Sequence, residues 1–370
     1  MLKVRLTILL IIVTIILTGC FNYRDLNRAI FVTMLVIDID DQDNIVVYAE
    51  AFHSYRSNKN NTEQGQRLVF HATGPSLFGT IRKLNVASRY KIDYSQCKMY
   101  VFTEKAAKNG IADFLDFLIR DQEFLIRAFL AVYLGPPEEL LTAEIKQDEY
   151  IGIYLYELFQ DSLLSSILVN YRFSDNVNTR LMGKHIDKMN AIKIEQETVD
   201  QFVSAQGAAV FENDIMVDML TLDETIYCNF LYDRIQSGAI EIQHPQHEDK
   251  TLTLEIRKSK TKSKMDYDGR RILMKVNIDT DVVIADAQSG LDWNKETIEK
   301  IEHLAAVKIK DGTEALFAKF KEKGIDLLDV KHDVDIRYPK SNVENPIMIT
   351  NLTSEVKVHI KGSTYIRGSR

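Results

Sequence analysis

The sequence contains little cysteine, with three residues in a chain of 370. So few cysteines exclude a small fold held together by several disulfides. Cys97 lies in a strand-like run and Cys228 on a predicted helix. We interpret both as half-buried free thiols, with a disulfide between them as the alternative. Neither has neighbours that predict an activated thiolate.

The sequence also lacks the common catalytic signatures. It has no Gly-x-x-x-x-Gly-Lys phosphate loop, no Gly-x-Gly-x-x-Gly after a strand and no His-Glu-x-x-His zinc motif. The Gly-x-Ser-x-Gly elbow of serine hydrolases is absent too. These absences favour a non-enzymatic protein without a cofactor.

Positive residues are fewer than negative ones, with 46 Lys and Arg against 53 Asp and Glu. The net charge at pH 7 is −7, and loss of Lys3 and Arg5 with an N-terminal signal would bring it to −9. Such an acidic chain is a poor candidate for binding nucleic acid, which requires clustered lysine and arginine. With 45% hydrophobic and 27% charged residues, the composition is that of a folded globular protein.

One basic stretch stands out, the segment Arg257–Arg271 ("RKSKTKSKMDYDGRR"). Clustered cations of this kind can contact anionic lipid or cell-wall polymer. The alternative, which we prefer, is the solvated face of a β-hairpin that turns at Asp268 and Gly269.

Two segments raise the question of a metal site. The acidic run Asp38–Asn44 ("DIDDQDN") has alternating acids, but Gln42 breaks the pattern and the glycine of a calcium loop is missing. We therefore predict a solvated hairpin turn. His244 and His247 supply only two ligands, whereas a closed zinc site needs four, so we predict a polar loop and no metal.

The segment Leu118–Arg127 ("LIRDQEFLIR") places Arg120, Asp121, Glu123 and Arg127 between apolar residues. These charges predict a partly buried network or a docking edge. A catalytic carboxylate pair has no support, because nothing supplies a third partner or a pocket.

The N-terminus has the three parts of a secretory signal. Lys3 and Arg5 precede the apolar run Ile8–Leu17, and Leu17–Gly19 leads to Cys20. The apolar run is shorter than the about 20 residues that a membrane-spanning helix needs. Leu-Thr-Gly-Cys resembles the lipobox of bacterial lipoproteins, which implies that residues 1–19 are removed and that Cys20 receives an S-diacylglyceryl group and an N-acyl group such as palmitate. The alternative is a secreted protein in which Cys20 merely lies near the cleavage site.

Strands and helices alternate in the first half, which predicts an α/β arrangement with helices on a sheet. Its predicted strands are 29–40, 45–52, 67–74, 97–103 and 124–135, with the first two forming a hairpin, and its predicted helices are 75–89, 105–120 and 150–169. The chain then becomes polar, and we place a domain boundary near Thr198. Residues 20–198 form an N-terminal region that allows a further division into two domains, and residues 199–370 form a C-terminal α+β domain.

The second half predicts mainly antiparallel strands covered by one long helix. A hairpin turning at Glu212–Asp214 precedes a helix over 221–238 that ends at Gly238. Further strands are predicted at 239–244, 251–259, 271–284, 330–338 and 354–360, with the long helix at 293–323.

The stretch "GCFNYRDLNRAIFVTMLVID" resembles the start of the Ger(x)C lipoproteins, the C subunits of nutrient germinant receptors in spore-forming bacteria. Phe21 stands where that family usually has Trp, and Val36 where it usually has Gly. The positions that fit are Gly19, Cys20, Arg24, Asp25, Leu26, Ala29, Ile30, Val32, Ile37 and Asp38. The block 97–135, "GAAVFENDIMV", "VDIRYPK" and "VKVHIKGS" are similar to later family landmarks, so the resemblance covers nearly the whole chain.

The resemblance implies three domains of mixed sheets flanked by helices, without catalytic activity. It also implies a lipid anchor at Cys20 on the outer face of the spore inner membrane. Two polytopic membrane subunits would be its partners, one of them resembling an amino-acid transporter and the expected seat of nutrient binding. The chain would then be required for receptor assembly and for the germination response.

Two other classes of protein remain as alternatives. A solute-binding lipoprotein would capture a small ligand itself, but such proteins usually have two lobes with parallel sheets. A cell-wall enzyme would need an acid/base pair, and none stands out in the sequence.

Overall fold

The computed structural model describes residues 29–56, 63–161, 166–197 and 200–363. These residues form two β-sheets, one of nine strands and one of four, with helices packed against both. The predicted class, mixed sheets flanked by helices, is confirmed. The predicted signal segment and Cys20 lie outside the described residues.

The first sheet has a parallel centre with antiparallel strands on either side. Its parallel neighbours are β1 (Ala29–Ile39) with β4 (Lys91–Asp93) and with β5 (Met99–Thr103), then β5 with β6 (Phe129–Tyr133), and β6 with β7 (Ile186–Glu197). The antiparallel strands are β2 (Ile45–Arg56) and β3 (Glu63–Gly74) beyond β1, and β8 (Asp200–Glu212) and β9 (Ile215–Leu220) beyond β7. Both hairpins predicted for this region, β1–β2 and β8–β9, are confirmed.

Helices cover both faces of the first sheet. One face packs against α1 (Leu77–Ala87), α2 (Glu104–Asn109) and α3 (Ala112–Arg120), and the other against α4 (Pro137–Thr142) and α5 (Ile151–Asp161). A further helix, α6 (Phe173–Leu181), packs beside β7. Every residue of β5 and β6 is buried, as expected for central parallel strands that are covered on both faces.

The second sheet has the order β10 (Gly238–Gln243), β11 (Thr251–Tyr267), β12 (Ile272–Ala287) and β13 (Thr350–Ser363). Its first three strands are antiparallel, whereas β12 and β13 are parallel. The long predicted helix is α8 (Lys295–Glu322), and its apolar face, including Ile301, Ala305 and Ile309, packs on one side of this sheet. Shorter helices complete the unit: α7 (Leu222–Leu231), α9 (Val330–Arg337) and α10 (Pro346–Ile349).

The strand predicted over 330–338 is wrong, because this segment is helix α9. Val330 and Val334 are both completely buried, whereas Ile336 is 65% exposed. This is a spacing of four, which suits a helix, and not the spacing of two of a strand. The Asp326 carboxylate stabilises the helix start, since the main-chain N–H groups of Val330 and Lys331 donate to it at 2.9 and 2.8 Å.

The segment predicted as one helix over 105–120 forms two helices, because the helix is interrupted at Gly110. This residue has a φ of 111°, a region that favours glycine. The next N–H, of Ile111, donates to the Asp214 carbonyl at 2.9 Å and not to the preceding helix. The strand predicted over 124–135 is also shorter than expected. It is β6, and Phe124 belongs to the turn before it.

Two other predicted helices are too long. The helix predicted over 150–169 is α5, which ends at Asp161; residues 166–169 are not helical. The helix predicted to end at Gly238 is α7, which ends at Leu231. Gly238 begins β10 with a φ of 139°, and a Cβ there would lie 2.0 Å from Ser166 Oγ, so close packing explains this glycine.

The predicted division near Thr198 falls in the connection between β7 and β8. These two strands are hydrogen-bonded neighbours, so the first sheet continues past this point to Leu220. The second sheet starts at Gly238.

Candidate functional site

A buried glutamate links strands β1, β2 and β3 of the first sheet to helix α5. Glu50 lies in β2 with no exposed surface. Its carboxylate accepts hydrogen bonds from the Thr33 hydroxyl at 2.7 Å and from Arg67 Nε at 2.8 Å. The N–H groups of Ile151 and Gly152, at the start of α5, donate to it at 2.9 and 2.8 Å. A carboxylate is favoured there because a helix N-terminus carries partial positive charge.

The partners of Glu50 extend the network to α4. Arg67 is 16% exposed, and its other nitrogens donate to the carbonyls of Leu141 and Ala143 at 2.9 and 3.2 Å. The guanidinium therefore bridges a sheet carboxylate and the end of α4. All these bonds are internal, so the arrangement orders the first sheet and its helices. One signal of this network is present in the sequence, a glutamate inside the apolar strand "IVVYAEAF".

A buried pair of ionisable residues lies where the first sheet contacts the helices that accompany the second sheet. Asp187 and Lys188 are neighbours in β7 and both are buried. Burial raises the pKa of Asp187 to about 8 and lowers the pKa of Lys188. Asn176 Nδ2 donates to Asp187 at 2.7 Å, and the Lys188 ammonium lies 3.4 Å from the centre of the Tyr232 ring, just after α7.

This junction contains a cavity of about 100 Å³, lined in part by Lys188, Cys228 and Asp329. Asp329 precedes α9 and accepts a hydrogen bond from the His185 N–H at 3.1 Å. The contacts join β7, α7 and α9, so the junction holds the two sheets together. Residues 176–198 are polar in the sequence, so their contribution to the junction between the two sheets was not predicted.

Cys97 and Cys228 are free and completely buried, at 0% and 1% exposure. The half-buried interpretation is therefore wrong. The alternative of a disulfide between them is also wrong. Cys97 belongs to the core of the first sheet, whereas Cys228 belongs to a separate hydrophobic cluster at the junction. Burial raises the pKa of both thiols, which keeps them protonated.

The acidic run Asp38–Asn44 forms the predicted hairpin turn. The Asp40 carboxylate accepts hydrogen bonds from the main-chain N–H groups of Gln42 and Asn44, both at 2.8 Å. Hydrogen bonds from Asn44, first from its side chain, lower the pKa of Asp40. The turn is stabilised by its own side chains.

His244 and His247 do lie together, with ring centres 5.0 Å apart. His244 is buried, and its Nδ1 accepts the Gln246 N–H at 3.2 Å. Burial, and then the nearby His247, lower the pKa of His244. Among the described residues, no group of three or more His, Cys, Asp and Glu side chains is placed to hold a metal ion.

The basic stretch is confirmed as a hairpin face. The turn is closed by the Asp268 carboxylate, which accepts the N–H groups of Arg270 and Arg271 at 2.7 Å each. The lysines of β11 share the sheet face opposite α8 with charged residues of β12 and β13, around a groove of about 590 Å³. Its charged lining residues are Lys258, Lys260, Lys262, Asp279, Asp281, Glu355, Lys357, His359 and Lys361.

The segment Leu118–Arg127 forms the end of α3 and the loop to β6. Glu123 pairs with Lys91 of β4 at 2.7 Å, and both side chains are nearly half exposed. Phe124 anchors the loop in the core. The charges thus form an exposed edge and not a buried network.

Two family models match the chain. The N-terminal domain of spore germination proteins matches residues 22–184, and the spore germination B3/GerAC-like C-terminal domain matches residues 206–369. The chain belongs to the Ger(x)C family. The resemblance inferred from the sequence is therefore confirmed.

Two relatives of the chain are distant from it in sequence. The chain is 20% identical to spore germination protein GerQC of Bacillus cereus over 333 residues, which covers 88% of each chain. It is 19% identical to spore germination protein KC of Bacillus subtilis (strain 168), over 99% of this chain and 95% of that protein. The crystal structure of the GerBC protein has the same fold, with a TM-score of 0.58 at 15% identity, covering 88% of this chain and 96% of that one.

Within the described part of this Ger(x)C chain, no helix is both long and apolar enough to cross a membrane. The longest, α8, has charged residues along much of its surface.

Proposed function

We propose that this chain is a non-enzymatic, lipid-anchored subunit of a spore nutrient germinant receptor. A diacylglyceryl group and an N-acyl group on Cys20 would hold it at the outer face of the spore inner membrane. There it would assemble with two polytopic membrane subunits and be required for the germination response.

The observation that carries the proposal is the match to both domains of the spore germination family, which begins at residue 22, two residues after Cys20. Lipidation supplies the membrane affinity. Each buried methylene contributes about 0.8 kcal/mol, so two or three chains give stable attachment where one does not. Confinement to the membrane raises the effective concentration of membrane partners.

The anchor can be tested on the chain itself. Trypsin would release the peptide Cys20–Arg24 from the mature protein. For protein extracted from membranes, mass spectrometry should show this peptide beginning at Cys20 and carrying the mass of the lipid. An unmodified cysteine, or a peptide that extends upstream of residue 20, contradicts the anchor.

The biological role is tested in spores that carry Cys20→Ala. We expect the variant to leave the membrane fraction and the response to nutrient to be lost or strongly slowed. Gly290→Ala is the control, because it adds a methyl group where no atom lies within 4 Å, and it should retain both membrane attachment and germination. Normal membrane retention and normal germination of Cys20→Ala spores would refute the role of the anchor.

A further inference from the structure

Several loops that connect strands and helices lie at one edge of the first sheet. Strands β1, β4, β5 and β6 are parallel neighbours, so they all begin at this edge. Helices α1 and α3 each follow a strand that ends at the opposite edge, and they return the chain to β4 and β6. Arg172 also lies here, since it pairs with Phe129, the first residue of β6. We call residues 86–98, 121–128 and Arg172 the entry edge.

The entry edge has more positive than negative side chains, in contrast to the acidic chain as a whole. Its cations are Arg89, Lys91, Lys98, Arg127 and Arg172, and its acids are Asp93, Asp121 and Glu123. Asp93 and Asp121 each accept a main-chain N–H two residues later, at 2.9 Å, so they serve the turns. Glu123 is the partner of Lys91.

The cations of the entry edge are held in place by the fold. The Arg172 guanidinium lies 4.5 Å from the centre of the Phe129 ring and donates to the Arg127 carbonyl at 3.2 Å. The Lys98 ammonium lies 5.2 Å from the centre of the Tyr156 ring. Arg89 and Arg127 are exposed. The edge therefore presents ordered cations beside two that reach into solvent.

The entry edge also contains two exposed aliphatic side chains. Val86, at the end of α1, is 87% exposed, and Ile126 is 50% exposed next to Arg127. Exposed aliphatic residues beside arginine and lysine are typical of surfaces that contact a membrane interface, where the cations bind phosphate and the aliphatic groups enter the acyl boundary.

The short segment between Cys20 and β1 limits how far this edge can lie from the membrane. β1 begins at Ala29, nine residues after Cys20. Even fully extended, nine residues span only about 30 Å. A lipid on Cys20 would therefore keep the start of β1 within this distance of the membrane.

We propose that the entry edge lies directly against an anionic phospholipid membrane, with its arginines and lysines on the lipid phosphates and with Val86 and Ile126 at the acyl boundary. The proposal rests on the proposed lipid anchor at Cys20. It adds an orientation: the strands β1, β4, β5 and β6 start at the membrane and run away from it.

The native thiols make a direct test practical. Cys97 and Cys228 are buried, so a fluorophore can be attached selectively to an introduced cysteine. Ile126→Cys reports on the entry edge, and Gln42→Cys is the matched control, because Gln42 is exposed in the turn after β1, at the opposite end of that strand. The full mature chain, purified from membranes, is reconstituted in vesicles of phosphatidylglycerol or phosphatidylcholine that contain a lipid-borne quencher.

In phosphatidylglycerol vesicles we expect at least twofold stronger quenching at position 126 than at position 42. Adding Arg89→Gln and Arg127→Gln should reduce quenching at position 126 without affecting position 42. Equal quenching at both positions, or the same quenching in phosphatidylcholine, overturns the proposal. The proposal is also overturned if the signal of the fluorophore at position 126 changes only when membrane subunits are added, and not with lipid alone.

The test separates the edge from the anchor. A chain that stays on the vesicles without quenching at position 126 refutes the orientation and leaves the anchor intact. A chain that does not stay on the vesicles refutes the anchor, and the proposed orientation fails with it.

Discussion

The Nε atom of Arg67 lies 2.8 Å from the carboxylate of Glu50, which has no exposed surface. These residues lie on adjacent strands, β3 and β2. Together with the N–H groups that begin α5, the guanidinium compensates a charge that would otherwise be costly to bury. The Glu50 carboxylate therefore helps to fix the start of α5 on the first sheet.

Replacing Glu50 by glutamine should destabilise the protein strongly. The change leaves Arg67 without its carboxylate and places amide hydrogens among donors, and breaking a buried pair in this way costs about 3–5 kcal/mol. Urea unfolding of the chain measures the effect. Glu149→Gln is the control, because Glu149 is exposed and should change the free energy of unfolding by less than about 0.5 kcal/mol. Equal effects of the two changes would show that Glu50 has no special role.

Gly152→Ala should also destabilise the protein, although alanine normally favours a helix by about 1 kcal/mol. A Cβ at Gly152 would lie 2.7 Å from Met34 Cβ and 2.8 Å from the Thr33 carbonyl oxygen. Since α5 would have to move off β1, we expect a loss of about 2 kcal/mol in the free energy of unfolding. Gly290→Ala adds a methyl group where no atom lies within 4 Å, and should be neutral. A neutral or stabilising Gly152→Ala would mean that α5 packs less closely.

Asp187→Asn should change how stability depends on pH. The pKa of this carboxyl is about 8 in the fold and about 3.9 in an unfolded chain, so between these values the native state binds the extra proton. Its contribution to the free energy of unfolding therefore falls as the pH rises through this window. Asparagine removes this term, so the variant should gain stability relative to the parent by about 1 kcal/mol per pH unit from pH 5 to 7.

Urea unfolding at pH 5, 6 and 7 measures the difference between Asp187→Asn and the parent. Asp335→Asn serves as the control, since Asp335 is exposed and forms only a surface ion pair with Lys331. A constant difference between Asp187→Asn and the parent over this range would mean that Asp187 is ionised in the fold.

The thiols of Cys97 and Cys228 should not react in the folded chain. Both are buried, and burial raises the pKa of each thiol, which suppresses the reactive thiolate. In the Cys20→Ala chain, a colourimetric thiol reagent should detect no fast-reacting thiol in buffer and two in 6 M urea. Fast reaction of either thiol in buffer would indicate local opening around it.

Local patterns predicted much of the fold. The apolar runs of β1 and β2 with the polar turn between them, and the apolar face of α8, were sufficient to identify those elements. The segment of α9 was not identified, because valines at positions 330 and 334 fit spacings of both two and four. Its helical state depends on Asp326 and on burial against neighbouring elements.

The buried charged groups could not be predicted, because their partners are distant in the sequence. Glu50 contacts the start of α5 about a hundred residues later, and Lys188 contacts Tyr232 in a different unit. Only part of the entry edge could be predicted from the sequence, since the charges of Leu118–Arg127 suggested a docking edge. The fold was needed to show that Arg89, Lys98 and Arg172 lie at the same edge. Cys20 is a different case, because its proposed role rests on the sequence around it.

The most direct test of the proposed receptor role is purification of the tagged full-length chain from detergent-solubilised spore membranes. We expect two polytopic membrane proteins to co-purify with it in comparable amounts, and to be lost when Cys20 is replaced by alanine. Recovery of the chain from spore membranes without any polytopic protein would contradict a role as a germinant receptor subunit.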